Sequence, residues 1–165
     1  MAQWLRVWLW TLALLPVGVL AAVVLTRVRP SRSWRRSATE VGMVYGTLPW
    51  AWMILTPVKV PPDTKMTHWV PLEDVLSLLK TDLWWVQIGG NLGVFLVLGA
   101  LAPMRWAALA RPWRLLALGA ASSLILEILQ RLLAGGRVFS VDDVLLNAIG
   151  CLLGGILTRR WWLRS

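Results

Sequence analysis

The stretch that decides the fold is GAASSLILEILQRLLAGGRVFSVDDVLLNAIGCLLGG, residues 119–155. It sets Glu127, Gln130, Arg137, Asp142, Asp143 and Asn147 inside or against sequence otherwise apolar enough to sit in lipid. Ionisable groups at membrane depth are expensive, so they mark a site rather than a random surface.

Working outward, the whole chain shares this character. Its 165 residues are 58% hydrophobic and only 15% charged, with a mean hydropathy of +0.64. That is more apolar surface than a small soluble core can bury, which predicts an all-α integral membrane protein, a compact bundle forming one membrane domain over residues 1–165. A spanning helix needs roughly 20 apolar residues. Runs of about that length cover residues 4–26, 41–58, 84–102, 113–133 and 141–157, giving five spans. The run 41–58 is short and carries Tyr45, Thr47 and Pro49. The first run is too long for a signal h-region and lacks a small-residue cleavage site, so it reads as a retained helix. Cys151 lies mid-span with no second cysteine to pair with.

The formal net charge of +9 is informative through its distribution. Arg27, Arg29, Arg32, Arg35 and Arg36 follow the first span, Arg105, Arg111 and Arg114 the third, and Arg159, Arg160 and Arg164 the fifth. The acids Asp63, Glu73, Asp74, Asp82, Asp142 and Asp143 fall in the second and fourth connections. The positive-inside rule then sets the N-terminus outside and the C-terminus inside. Tryptophans at the span ends match an interfacial belt. The basic runs act as topology signals and contacts to membrane lipid, and no nucleic-acid partner is expected.

In that orientation the fourth span runs outward and the fifth returns. Glu127 lies about 9 Å below the outer end of its helix, and Asn147 and Asn91 fall at a similar depth on theirs. Glu127 with Gln130, and Asp143 with Asn147, each share a helix face. The paired glycines of AGGRVFS permit a tight turn that brings Arg137 back over both helices, where Glu127, Asp142 or Asp143 could receive its guanidinium. Three acids against Arg131 and Arg137 leave the cluster slightly negative. Such a site suits an amine, a sugar presenting hydroxyls, or a phosphate bridged by a divalent cation. Structural roles explain parts of it equally well. Ser140 and Asp143 match a capping box, acids in a first helical turn favour the helix dipole, and Asn91, Gln130 and Asn147 can serve as interhelical hydrogen bonds. Gly89 with Gly93 and Gly150 with Gly154 have the GxxxG spacing of close helix packing. His68 reads as an exposed loop residue, part of the loop returns to the membrane surface as an amphipathic lid, and Glu40 has no assigned role.

No Walker loop, HExxH, GxSxG or CxxC pattern occurs, and one histidine with one cysteine excludes a structural zinc site. No cofactor and no resident metal are expected.

The linked motifs ExxQ and GRxFxxDDxxxNxxG, here Glu127, Gln130, Gly136, Arg137, Phe139, Asp142, Asp143, Asn147 and Gly150, resemble those of VanZ-like membrane proteins. NLGVFLVLGALAP, with Asn91, Phe95 and Gly99, is similar to the family's preceding span, so the resemblance covers residues 84–158. The chain departs from the family at Val97, where a proline is common, and in the loop segment HWVPLEDV. The resemblance implies a multi-pass protein of the bacterial plasma membrane, acting at the cell envelope, in a family named for a teicoplanin-resistance accessory protein. It supplies no biochemical activity. The expected role is binding of an envelope glycolipid, peptidoglycan precursor or glycopeptide headgroup in an outer-leaflet site formed by Glu127, Gln130, Arg137, Asp142, Asp143, Asn147 and Asn91. The alternatives are a metal-assisted hydrolase or transferase using Glu127 or Asp143 as base, and a lipid or headgroup transporter.

Overall fold

The structure is a computed structural model that describes residues 3–29, 33–56, 67–82, 84–133 and 138–162. It is mostly helical. α1 (Gln3–Ala13) and α2 (Leu15–Val28) meet at a bend of 44°. Pro16 causes it, because proline in the first turn of α2 cannot donate the N–H that would continue α1. α3 (Trp34–Leu55) runs through Pro49. A short loop helix, α4 (Glu73–Leu78), precedes α5 (Trp84–Val94) and α6 (Leu96–Arg105), which are separated only at Phe95. α7 (Pro112–Leu133), α8 (Val141–Leu157) and α9 (Arg159–Trp162) complete the described helices. Two short strands, β1 (Thr67–His68) and β2 (Phe139–Ser140), pair in parallel.

By length and composition two helical runs can cross a membrane, Trp84–Arg105 and Pro112–Leu132, and the bent α1–α2 pair makes three if it counts as one span. The expected run 41–58 falls largely inside α3, which starts earlier and carries Arg35, Arg36 and Glu40 in its first two turns. α8 has 17 residues, about 25 Å of helix against a hydrocarbon core of about 30 Å. These two runs therefore have less apolar length than the other candidates.

α8 is the hub, packing on α5, α6 and α7. Helices gain little from hydrophobic burial against one another in lipid, so close backbone approach replaces it. Here the approach is extreme. A Cβ on Gly150 would lie 2.0 Å from the Leu92 carbonyl oxygen, one on Gly154 2.0 Å from that of Leu96, and one on Gly99 1.8 Å from that of Cys151. Gly89 and Gly93, by contrast, face open space, so only the second GxxxG pair is a packing motif. A small core of Val94, Phe95, Leu115 and Cys151 fills the centre. Leu12, Leu20, Ile125, Leu132 and Leu157 remain exposed on the outside, an apolar surface of the kind that fits a lipid environment.

The bundle has two chemically different ends. At one, Arg105 Nε donates to Glu40 at 2.7 Å while Arg29 approaches the same carboxylate at 3.8 Å, joining α2, α3 and α6. Thr158 Oγ1 donates to the Ala100 carbonyl at 2.9 Å near that end. At the other, β1 and α4 of the 67–82 loop lie against the start of α8.

Candidate functional site

The α7–α8 register organises the polar residues. Cβ positions at Gly155 and Gly119 would meet Leu115 and Cys151 respectively, and Asn147 Nδ2 donates to Ser123 Oγ at 2.9 Å. Further out, the Arg131 guanidinium lies 5.9 Å from the Phe139 ring centroid. Each of these pairs advances by four residues on α7 and retreats by four on the following chain. The step between Ser123–Asn147 and Arg131–Phe139 therefore sets Glu127 opposite Asp143.

Glu127 is buried, at 8% exposed. Asp143 is half-buried and accepts a hydrogen bond from Asn91 Nδ2 on α5. Glu127, Asp143 and Asn91 thus form an outer layer. Ser123 and Asn147 form an inner one, a turn or about 6 Å deeper. This corrects the expected single level of Asn91, Glu127 and Asn147: Asn147 pairs with Ser123, a turn deeper than Glu127, while Asn91 engages Asp143. Asn147 is buried, and its Oδ1 has no hydrogen-bond partner among the described residues. Gln130, also buried, donates to the Ile54 carbonyl. That carbonyl belongs to the last turn of α3, where the helix supplies no partner of its own.

Asp142 has a different task. Its Oδ1 accepts from the Leu72 N–H at 2.5 Å and its Oδ2 from those of Asp74 and Val75 at 3.0 Å each, so it caps α4 from 68 positions away in the chain. Ser140 is the N-cap of α8, accepting from the Asp142 N–H at 3.1 Å, while its hydroxyl donates to Asp74 Oδ2 at 2.5 Å. His68, half-buried rather than exposed, has Nδ1 2.5 Å from Asp74 Oδ1. Trp69 packs on Phe139 at 5.0 Å between centroids. The loop is therefore latched across the start of α8 by a strand pair, an aromatic contact and a shared Asp74. Sequence reasoning missed Ser123 and Asp74, whose partners Asn147 and Ser140 lie 24 and 66 positions away, and His68, whose partner Asp74 is six positions along an irregular loop. Arg137 lies outside the described residues. Among those described, no group of three His, Cys, Asp or Glu side chains gathers to hold a metal ion.

The family described as VanZ/LLP1 matches over residues 19–163, nearly the whole chain. The protein belongs to the VanZ/LLP1 family. The match extends well beyond the 84–158 stretch whose motifs carry the resemblance, so α2 and α3 are part of the VanZ/LLP1 unit too. Membership supports a VanZ-like role at the cell envelope, and the apolar helices fit a membrane protein. No curated protein matches the chain, and no solved structure does.

Proposed function

We propose that this VanZ/LLP1 protein is a five-span protein of the bacterial plasma membrane, N-terminus out and C-terminus in, that binds the headgroup of an envelope glycolipid, peptidoglycan precursor or glycopeptide and so contributes to teicoplanin resistance. The observation that carries this reading is the placement of Glu127 opposite Asp143, beside the loop that Asp142 tethers. Facing carboxylates make a site rich in acceptors and negative in charge, which suits the hydroxyls and amines of such headgroups. Asn91, Gln130, Asn147 and Arg137 complete the set, Asp142 fixes the loop, and Asn147 Oδ1 offers one more acceptor. The two chemically distinct ends of the bundle support the orientation, since the basic segments meet at one and the acidic loop at the other.

Opposed carboxylates also favour a second reading, in which one acts as acid and the other as base on a lipid-linked substrate. That reading predicts product from the lipid-linked precursor, where a binder gives saturation without turnover.

The test is susceptibility to teicoplanin beside vancomycin in a host expressing wild type, Glu127→Gln or Asp143→Asn, with membrane levels matched by immunoblot. Resistance from wild type alone is the expected result; identical behaviour of all three would make the cluster packing chemistry only.

A further inference from the structure

At the end of the bundle away from that cluster, a cleft of about 770 Å³ opens between the start of α3, the end of α6 and α9. Its charged lining residues are Arg35, Arg36 and Arg105, and none of the described lining residues is acidic. Leu101, Met104 and Trp161 supply much of its apolar wall. We propose that this cleft binds one anionic phospholipid, with the phosphate at Arg35 and Arg36 and the glycerol and upper acyl chains against Leu101, Met104 and Trp161.

Two observations lead to the phosphate. The first turn of α3 contains no acid and no side-chain cap from Ser33, yet it carries two arginines. A helix N-terminus already holds a partial positive charge and unpaired N–H groups, so guanidinium groups there oppose the dipole unless an anion joins them. Glu40 does not supply that anion, because Arg105 and Arg29 already share it.

The apolar wall selects a lipid over a soluble anion. A free phosphate has no use for Leu101, Met104 and Trp161, whereas an amphiphile needs both halves of the cleft. Arg105 is also the last residue of the membrane-crossing run Trp84–Arg105, which puts the cleft at the depth where headgroups lie. Basic pockets between helices at such depths hold acidic headgroups, and tryptophan favours the same zone. A bound lipid would join segments whose like charges otherwise repel. The inference requires embedding in a membrane but not the outer-end ligand, so the two readings fail separately.

The experiment is native mass spectrometry of the full chain in detergent, titrated with dioleoylphosphatidylglycerol, dioleoylphosphatidylcholine or inorganic phosphate. Wild type should retain a single phosphatidylglycerol at least tenfold more tightly than phosphatidylcholine, with inorganic phosphate failing to displace it. Each arginine removed at positions 35 and 36 should weaken that binding about fivefold, while Arg35→Lys with Arg36→Lys retains most of it. Glu127→Gln should bind as wild type does. Equal retention of the two lipids, unchanged binding in Arg35→Gln with Arg36→Gln, or displacement by inorganic phosphate would overturn the proposal.

Discussion

Glu127 and Asp143 stand opposite each other across α7 and α8, one step outside the Ser123–Asn147 hydrogen bond and one step inside the Arg131–Phe139 contact. Two carboxylates so placed are tolerated where a cation or several donors lie with them, and Asn91 is one such donor, to Asp143. Replacing one by its amide removes a charge while keeping shape. Glu127→Gln and Asp143→Asn should each change unfolding stability in detergent by less than about 1 kcal/mol. Both should abolish the resistance phenotype. A loss of stability matching the loss of phenotype would assign the pair to structure.

Asp142 and Leu72 show how the loop is held. Leu72 has φ 69°, a left-handed conformation that costs a leucine about 1–2 kcal/mol, and it keeps that conformation while donating to Asp142. The carboxylate gathers three backbone donors at once, and hydrogen bonds to charged groups contribute about 1.5–3 kcal/mol each in favourable settings. Asp142→Ala should release α4 without unfolding the bundle. Hydrogen exchange of peptides from 67–82 should accelerate at least tenfold, with α7 unchanged. Protection that persists in the variant would mean that β1–β2 pairing holds the loop by itself.

The helical class, the candidate site on α7 and α8 and the family were legible in the sequence because each rests on local pattern: apolar run length, residues three and four apart, and the linked Glu127 to Gly150 motifs. The Ser140 N-cap was legible for the same reason. The partner of Asp142 was not, since nothing in VDDV distinguishes an acid that caps its own helix from one that caps a loop helix 68 residues earlier. The Ser140 contact to Asp74, 66 positions away, was hidden likewise. Two candidate spans, or three with the bent α1–α2 pair, meet the length and composition test, against five expected runs, because apolar length alone does not register the charged first turns of α3 or the shortness of α8.

The glycines separate into two groups that spacing cannot distinguish. A methyl on Gly150 must enter the space of the Leu92 carbonyl, whereas a methyl on Gly93 meets nothing within 4 Å. Gly150→Ala should therefore push α8 off α5 and cost about 3 kcal/mol or more, read as aggregation or early melting in detergent. Gly93→Ala should be neutral or stabilising by up to about 1 kcal/mol through helix propensity. Equal behaviour of the two variants would refute the backbone contact.

Glu40 is a junction for charge at the basic end. Its side chain is 23% exposed and that of Arg105 17%, so the 2.7 Å bond between them is only partly screened by water. Breaking one partner of a buried pair costs about 3–5 kcal/mol, an exposed pair under about 1, and this pair lies between. Glu40→Gln should cost about 1–2 kcal/mol, because it leaves Arg105 and Arg29 facing each other without their shared carboxylate. Arg105→Gln should cost less, since Arg29 still approaches Glu40 at 3.8 Å. In the double variant the two losses should be clearly less than additive, by at least about 0.5 kcal/mol in thermal unfolding. Strict additivity would show that the pair contributes nothing beyond its separate contacts, and that α3 and α6 are held together by packing such as Gly42 against Leu101.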